Sequence, residues 1–90
     1  SGAALSALLN GDQGWLMFLR ESGDAGFSSR NPNYNGAPNA TIDYVLSNGE
    51  TGAYPAQWAL TLFEIVRALK HFVDCETLPP FITWHDDSKK

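Results

Sequence analysis

Apolar residues recur at helical spacing in the second half of the chain, and this pattern constrains the fold more than any other feature. Trp58, Leu62, Ile65, Val66, Leu69, Phe72 and Val73 follow the 3.6-residue period. Pro55 precedes them, where its missing backbone N–H costs a helix nothing. The pattern predicts one long helix of about 18 residues, whose apolar face must be covered by another element.

The first part of the chain shows strand patterns. A continuous apolar run within 14–21 predicts a central strand that is covered on both faces, or covered on one face and packed with a partner on the other. Residues 26–30 predict a short second strand. Residues 31–39 are rich in Asn, Pro and Gly, so they predict a surface loop that is long enough to have a role in binding.

A hairpin follows this loop. Residues 41–47 alternate in hydrophobicity, with Ile42 and Tyr44 on the same face. Asn48-Gly49 then predicts a type I′ turn, in which both central residues take a positive φ. Residues 50–54 are expected to return as the partner strand.

The order of these elements predicts the fold class. Residues 3–9 have leucines at helix-like spacing and predict the end of a helix, while 81–84 predict a last strand. Because the strands are grouped along the chain, we expect an α+β fold. It would be an antiparallel sheet with the one long helix packed on one face, leaving the other face partly open.

The length and the charge of the chain limit its partners. Ninety residues predict a single domain over 1–90. A net charge of −4 argues against direct binding to nucleic acid and is compatible with a basic protein partner. With one cysteine, Cys75, and no evident signal peptide or membrane-spanning run, the chain is expected in the reducing cytoplasm and not in a membrane.

The polar residues give few signs of catalysis. His85-Asp86-Asp87 is the densest cluster, but a metal site would need further ligands, and the other histidine, His71, lies on the predicted helix. No nucleophile elbow or phosphate-binding glycine loop is present in the sequence. We therefore expect no cofactor and no enzyme activity. Cys75 is expected to be a small buried filler.

Arg30 and the three tryptophans are candidates for either structure or binding. Arg30 offers a planar fork for a carboxylate, which would be that of Asp24, that of Asp43 or one on a partner. The tryptophans are expected in the core, although Trp84 could instead anchor an interface at the rim of the sheet.

Several stretches taken together resemble a known family. The most specific are Gly-Phe-Ser-Ser-Arg-Asn-Pro at 26–32 and Thr-Trp-His-Asp at 83–86. Further matching pieces occur in order at 14–20, 42–49 and 54–56. With these pieces the chain resembles the first Imm family, the immunity proteins of bacterial polymorphic toxin systems.

The resemblance implies an α+β protein that binds a cognate toxin, often a nucleic-acid deaminase, and occludes its active site or substrate cleft. On this interpretation the expected toxin-binding residues are Asp24, Arg30, Asn31, Tyr34, Asp43, Tyr54, Trp84, His85, Asp86 and Asp87. Two alternatives stay open. One is a small metal-dependent hydrolase that uses His85 and a nearby Asp, and the other is a structural module that oligomerises through a sheet edge.

Overall fold

A computed structural model describes residues 2–46 and 48–88 of the chain. The strands and the helix, in chain order, are β1 (Ala4–Asn10), β2 (Gln13–Leu19), β3 (Phe27–Arg30), β4 (Thr41–Val45), β5 (Thr51–Pro55), β6 (Leu60–Thr61), α1 (Leu62–Cys75) and β7 (Thr83–Asp86). A 3₁₀ turn, Ala56–Trp58, joins β5 to β6. The expected α+β architecture is confirmed, with antiparallel sheets and one helix packed on a sheet.

The main sheet has the strand order β1-β2-β3-β7, and the short β6 pairs with the start of β2. All these pairs are antiparallel. Strand β7 lies beside β3 in a register that sets Ser28 opposite His85 and Arg30 opposite Thr83. This pairing brings the two most family-specific stretches of the sequence together.

Helix α1 covers one face of the main sheet. Its buried residues Ile65 and Ala68 pack with Leu16 of β2, Leu60 of β6 and Ile82 in one apolar cluster. Burying such side chains is the main favourable term in folding, at about 25 cal/mol per Å² of apolar surface. The core of the domain therefore lies between α1 and this face of the sheet.

The hairpin of β4 and β5 packs against the opposite face. Successive side chains of a strand point to opposite faces, so Trp15 faces away from α1 when Leu16 faces toward it. The Trp15 ring centre lies 5.0 Å from that of Tyr54 on β5. Tyr44 on β4 is fully buried in this second layer. The continuous apolar run in β2 is thus explained by cover on both faces.

The expected helix near the N-terminus is wrong, because this segment is strand β1. Leu5 stands opposite Phe18 and Leu8 stands opposite Trp15, so the leucines supply both faces of a strand. Gly11 adopts φ 62° in a two-residue turn before Gln13, where glycine takes this backbone conformation without steric cost.

The predicted long helix begins later than expected. Thr61 is its N-cap: its hydroxyl accepts from the Glu64 backbone N–H, and the Glu64 side chain accepts from the Thr61 N–H. This capping box fixes a 14-residue helix from Leu62. Trp58 therefore lies in the 3₁₀ turn and Pro55 ends β5. The Thr-x-x-Glu spacing is the sequence signal for this start.

Two smaller expectations also fail. Of the described residues in the β4–β5 turn, only Gly49 has a positive φ, 85°, so the type I′ turn is wrong. The Leu46 N–H donates to the Glu50 carbonyl, which closes a longer loop, and Ser47 lies outside the described residues. Cys75 is exposed at the end of α1, not buried.

Candidate binding surface

Arg30 is held in place on the face of the sheet that α1 does not cover. Its guanidinium carbon lies 4.1 Å from the centre of the Trp58 ring. Its Nη1 donates to the Ser28 hydroxyl at 2.8 Å and to the Ser29 carbonyl at 2.9 Å. Burial lowers the pKa of Arg30 and the Asp87 carboxylate opposes that shift. The side chain is thus fixed by stacking and by hydrogen bonds.

The contacts of Arg30 continue to the end of β7. The Ser28 hydroxyl donates to Asp87 Oδ1 at 3.0 Å, and His85 Nε2 lies 3.7 Å from the same oxygen. We call Trp58, Arg30, Ser28, Asp87 and His85 the Arg30 network. It brings together three of the predicted site residues from two strands that are more than fifty positions apart in sequence.

Tyr54 adjoins the Arg30 network through an aromatic cluster. Its ring centre lies 6.2 Å from that of Trp58 and 6.0 Å from that of Tyr44. The side chain remains half-buried, so part of it faces solvent. Asp43 is exposed on neighbouring β4, and its carbonyl accepts from the Asn10 side chain at 2.8 Å.

Asn31 and Tyr34 lie in the long loop after β3. The Asn31 N–H donates to the Gln57 carbonyl at 2.9 Å, which ties the loop to the 3₁₀ turn. The Tyr34 hydroxyl donates to the Ala37 carbonyl at 2.7 Å. Both residues therefore shape the loop, while the Asn31 side chain also lines a cleft described below.

Trp84 and Asp86 lie on the side of the sheet that α1 covers. In the β3–β7 register, Asp86 stands opposite Phe27, which pairs with Phe18 of the core face. The Trp84 ring also contacts Phe18, and its indole N–H donates to the Pro79 carbonyl at 2.8 Å. The structure therefore separates these two residues from the Arg30 network.

Asp24 is used in an ion pair that the sequence did not reveal. Its carboxylate accepts from the Arg20 Nε at 2.8 Å and Nη2 at 2.9 Å, and from the Arg20 backbone N–H. These hydrogen bonds from Arg20 hold the pKa of Asp24 well below its usual range. The expected pairing of Arg30 with Asp24 or Asp43 is wrong, because Arg30 instead contacts Trp58 and Ser28.

A cleft of about 450 Å³ opens at the end of the main sheet, where the β1–β2 turn meets the start of α1. Its lining residues are Asp12, Gln13, Asn31, Ala59, Leu60, Thr61, Leu62 and Phe63. We call it the Asp12 cleft. Asn31 and Ala59 are the chain neighbours of Arg30 and Trp58, so the cleft adjoins the Arg30 network. Of its lining residues, only Asn31 was predicted from the sequence to contact a partner. The sequence signal for the cleft is Phe63, an aromatic residue outside the predicted apolar face of the helix.

The described residues bear on two further expectations. Within 2–46 and 48–88, no three His, Cys, Asp or Glu side chains come close enough together to hold a metal ion. The hydrolase alternative therefore has only His85 and Asp87 side by side. The described helix is too short and too polar to cross a membrane.

Comparison with known proteins identifies the family. The family model described as Immunity protein Imm1 matches residues 1–86. The search of curated proteins returns no match. The family match covers all the strands, the helix, the Arg30 network up to His85 and the whole Asp12 cleft. The chain therefore belongs to the Imm1 family of immunity proteins.

Proposed function

We propose that this chain neutralises a nucleic-acid deaminase toxin in the bacterial cytoplasm by occluding its active site or substrate cleft. The observation that carries the neutralising role is the Imm1 match over residues 1–86. The role is stoichiometric, so this chain binds the toxin and performs no chemical step itself. The whole of 1–90 acts as one binding domain, without a cofactor.

Charge supports a toxin that acts on nucleic acid as the target, and a deaminase is one such toxin. A protein that acts on nucleic acid carries a basic groove for phosphates. This chain has a net charge of −4, so its field attracts such a groove and speeds association. An acidic inhibitor seated there would exclude the substrate without imitating its bases.

The Arg30 network supports the choice of binding surface. Interfaces obtain most of their affinity from a few aromatic and arginine anchors, and a side chain fixed before binding loses little entropy. Arg30 is fixed by Trp58 and Ser28, and Tyr54 lies beside them. We propose that these residues, with Asn31, Tyr34, Asp43, His85 and Asp87, contact the toxin. Asp24, Trp84 and Asp86 lie outside the Arg30 network, and this proposed contact does not include them.

The test combines this chain with the toxin domain encoded beside its gene. Co-expression should protect cells from the toxin, and the two proteins should co-purify at equimolar ratio. Adding the purified chain to the toxin should abolish deamination of single-stranded nucleic acid at one equivalent. A toxin that stays fully active in an equimolar mixture would contradict the proposal. A toxin that is inhibited but cleaves or modifies another substrate would contradict only the deaminase class.

A further inference from the structure

The Asp12 cleft holds a negative charge that the fold leaves uncompensated. The Asp12 side chain is exposed and makes no hydrogen bond or ion pair with any residue in the described ranges. None of the lining residues is a lysine, an arginine or a histidine. The cleft therefore presents a carboxylate that is available to a cation from outside.

The rest of the lining combines the polar side chains of Gln13, Asn31 and Thr61 with apolar ones. Phe63 is 77% exposed and Leu62 is 39% exposed, while Leu60 is buried. Phe63 and its neighbour Leu62 thus expose adjoining apolar surface at the cleft, and adjoining apolar surface is what an interaction site uses. A ring face attracts a cation by about 0.5–2 kcal/mol, depending on how far the pair is desolvated.

The walls of the cleft are fixed before anything binds. The Leu62 N–H donates to the Asp12 carbonyl at 2.8 Å, which ties the β1–β2 turn to the start of α1. The capping box of Thr61 and Glu64 holds the first turn of the helix. A partner would therefore meet a preformed cleft and would not need to order it.

We propose that the Asp12 cleft receives an arginine or lysine side chain of the toxin. This inference rests on the proposed function and names the chemistry of one contact in it. The cationic head pairs with the Asp12 carboxylate and lies against the Phe63 ring, and its methylene stem packs on Leu62. The Gln13 side chain offers a further acceptor oxygen.

Charge favours this occupant over an anion, since Glu64 in the first turn of α1 offsets the partial positive charge of the helix N-terminus and leaves the Asp12 charge dominant. A phosphate or a carboxylate in the cleft would meet the unpaired Asp12 charge, and like charges in contact are repelled. The net charge of −4 of the whole chain likewise favours a cationic occupant over an anionic one. A basic side chain is also what a nucleic-acid-binding groove offers in quantity.

The experiment measures the dissociation constant of this chain with a catalytically inactive form of the toxin encoded beside its gene. We expect Asp12→Asn and Phe63→Ala each to weaken binding at least about tenfold. The loss from Asp12→Asn should shrink at high salt, because salt screens the ion pair. Alanine replacement of one toxin arginine or lysine should be non-additive with Asp12→Asn in a double-mutant cycle.

Matched controls separate the contact from general effects. Glu50→Gln removes the same charge from the other hairpin turn, outside the cleft, and Val73→Ala trims an exposed apolar residue elsewhere on α1. Both should bind like the wild type, and all four variants should keep its melting temperature within a few degrees. If the wild type binds and both Asp12→Asn and Phe63→Ala bind with unchanged affinity, the proposed role of the Asp12 cleft is wrong. The proposed function would still stand in that case. Absence of wild-type binding would overturn both.

Discussion

The guanidinium carbon of Arg30 lies 4.1 Å from the centre of the Trp58 ring. Two backbone segments meet at this contact: Arg30 ends β3 and Trp58 ends the 3₁₀ turn, and the Ser29 hydroxyl of β3 donates to the Trp58 carbonyl at 3.2 Å. The stack therefore joins the hairpin layer to the main sheet and holds an arginine at the surface.

Replacing Arg30 by alanine should weaken toxin binding by at least about tenfold, which corresponds to ~1.4 kcal/mol. Arg30→Lys should recover little of this loss, because an ammonium group cannot stack on Trp58 while it bonds Ser28 in the same fork geometry. Arg67→Ala is the matched control, since Arg67 stacks on Phe81 at the same 4.1 Å. Surface plasmon resonance checks this, and equal losses at both arginines would contradict a specific role for Arg30.

Ser29 is fully buried and completes the hydrogen bonding between β2 and β3. Its hydroxyl accepts from the Leu16 N–H at 2.9 Å, next to the β2–β3 pair of Met17 and Ser28. Ser29→Ala should lower the free energy of unfolding by about 1–3 kcal/mol, because a buried N–H loses its partner. Urea titration at pH 7 measures this. Thr41→Ala, on an exposed strand position, should change stability by much less.

The Arg20–Asp24 pair predicts how stability depends on pH. Because Arg20 depresses the folded-state pKa of Asp24, the pair contributes its full stability above the unfolded carboxyl pKa of about 4. The contribution is lost as the pH falls below that value toward the folded-state pKa. Asp24→Asn should therefore lower the melting temperature at pH 7, and its difference from wild type should narrow between about pH 4 and 2. A difference in melting temperature between Asp24→Asn and wild type that does not change with pH would contradict the role of the ion pair. Asp43→Asn, which removes another carboxylate, serves as the control.

Thr61→Ala should destabilise the domain by about 1 kcal/mol by removing the N-cap hydroxyl that accepts from the Glu64 N–H. Thr61→Ser should restore most of that loss, because the serine hydroxyl occupies the same position. Thermal unfolding followed by circular dichroism at 222 nm is the measurement. Identical curves for the alanine and serine variants would show that the cap is not the cause.

The sequence identified the elements whose patterns are local and strong. The alternation in 41–45 and the helical period after Thr61 both depend on one covered face, and both elements were predicted. Strand β1 was misassigned because its leucines serve two covered faces, so their spacing matched a helix. Tertiary packing on both sides overrode the simple periodicity.

The candidate site was harder to predict, since its residues meet only through long-range pairing. Arg30 and His85 could be proposed separately from the residue types, but the Ser28 hydroxyl that links Arg30 to Asp87 depends on the β3–β7 register. The Asp12 cleft needs a turn, a loop and a helix start at one point. No single stretch of sequence encodes such a convergence.

The position of β7 has a consequence for biosynthesis. This strand is read late by the ribosome, yet it must pair with β3, and the Asp87 N–H must reach the Gly26 carbonyl. A nascent chain that has emerged only as far as residue 82 can form the β1–β2 hairpin but leaves β3 with an unpaired edge. The Arg30 network, and with it the proposed binding surface, can therefore form only after β7 has left the ribosome.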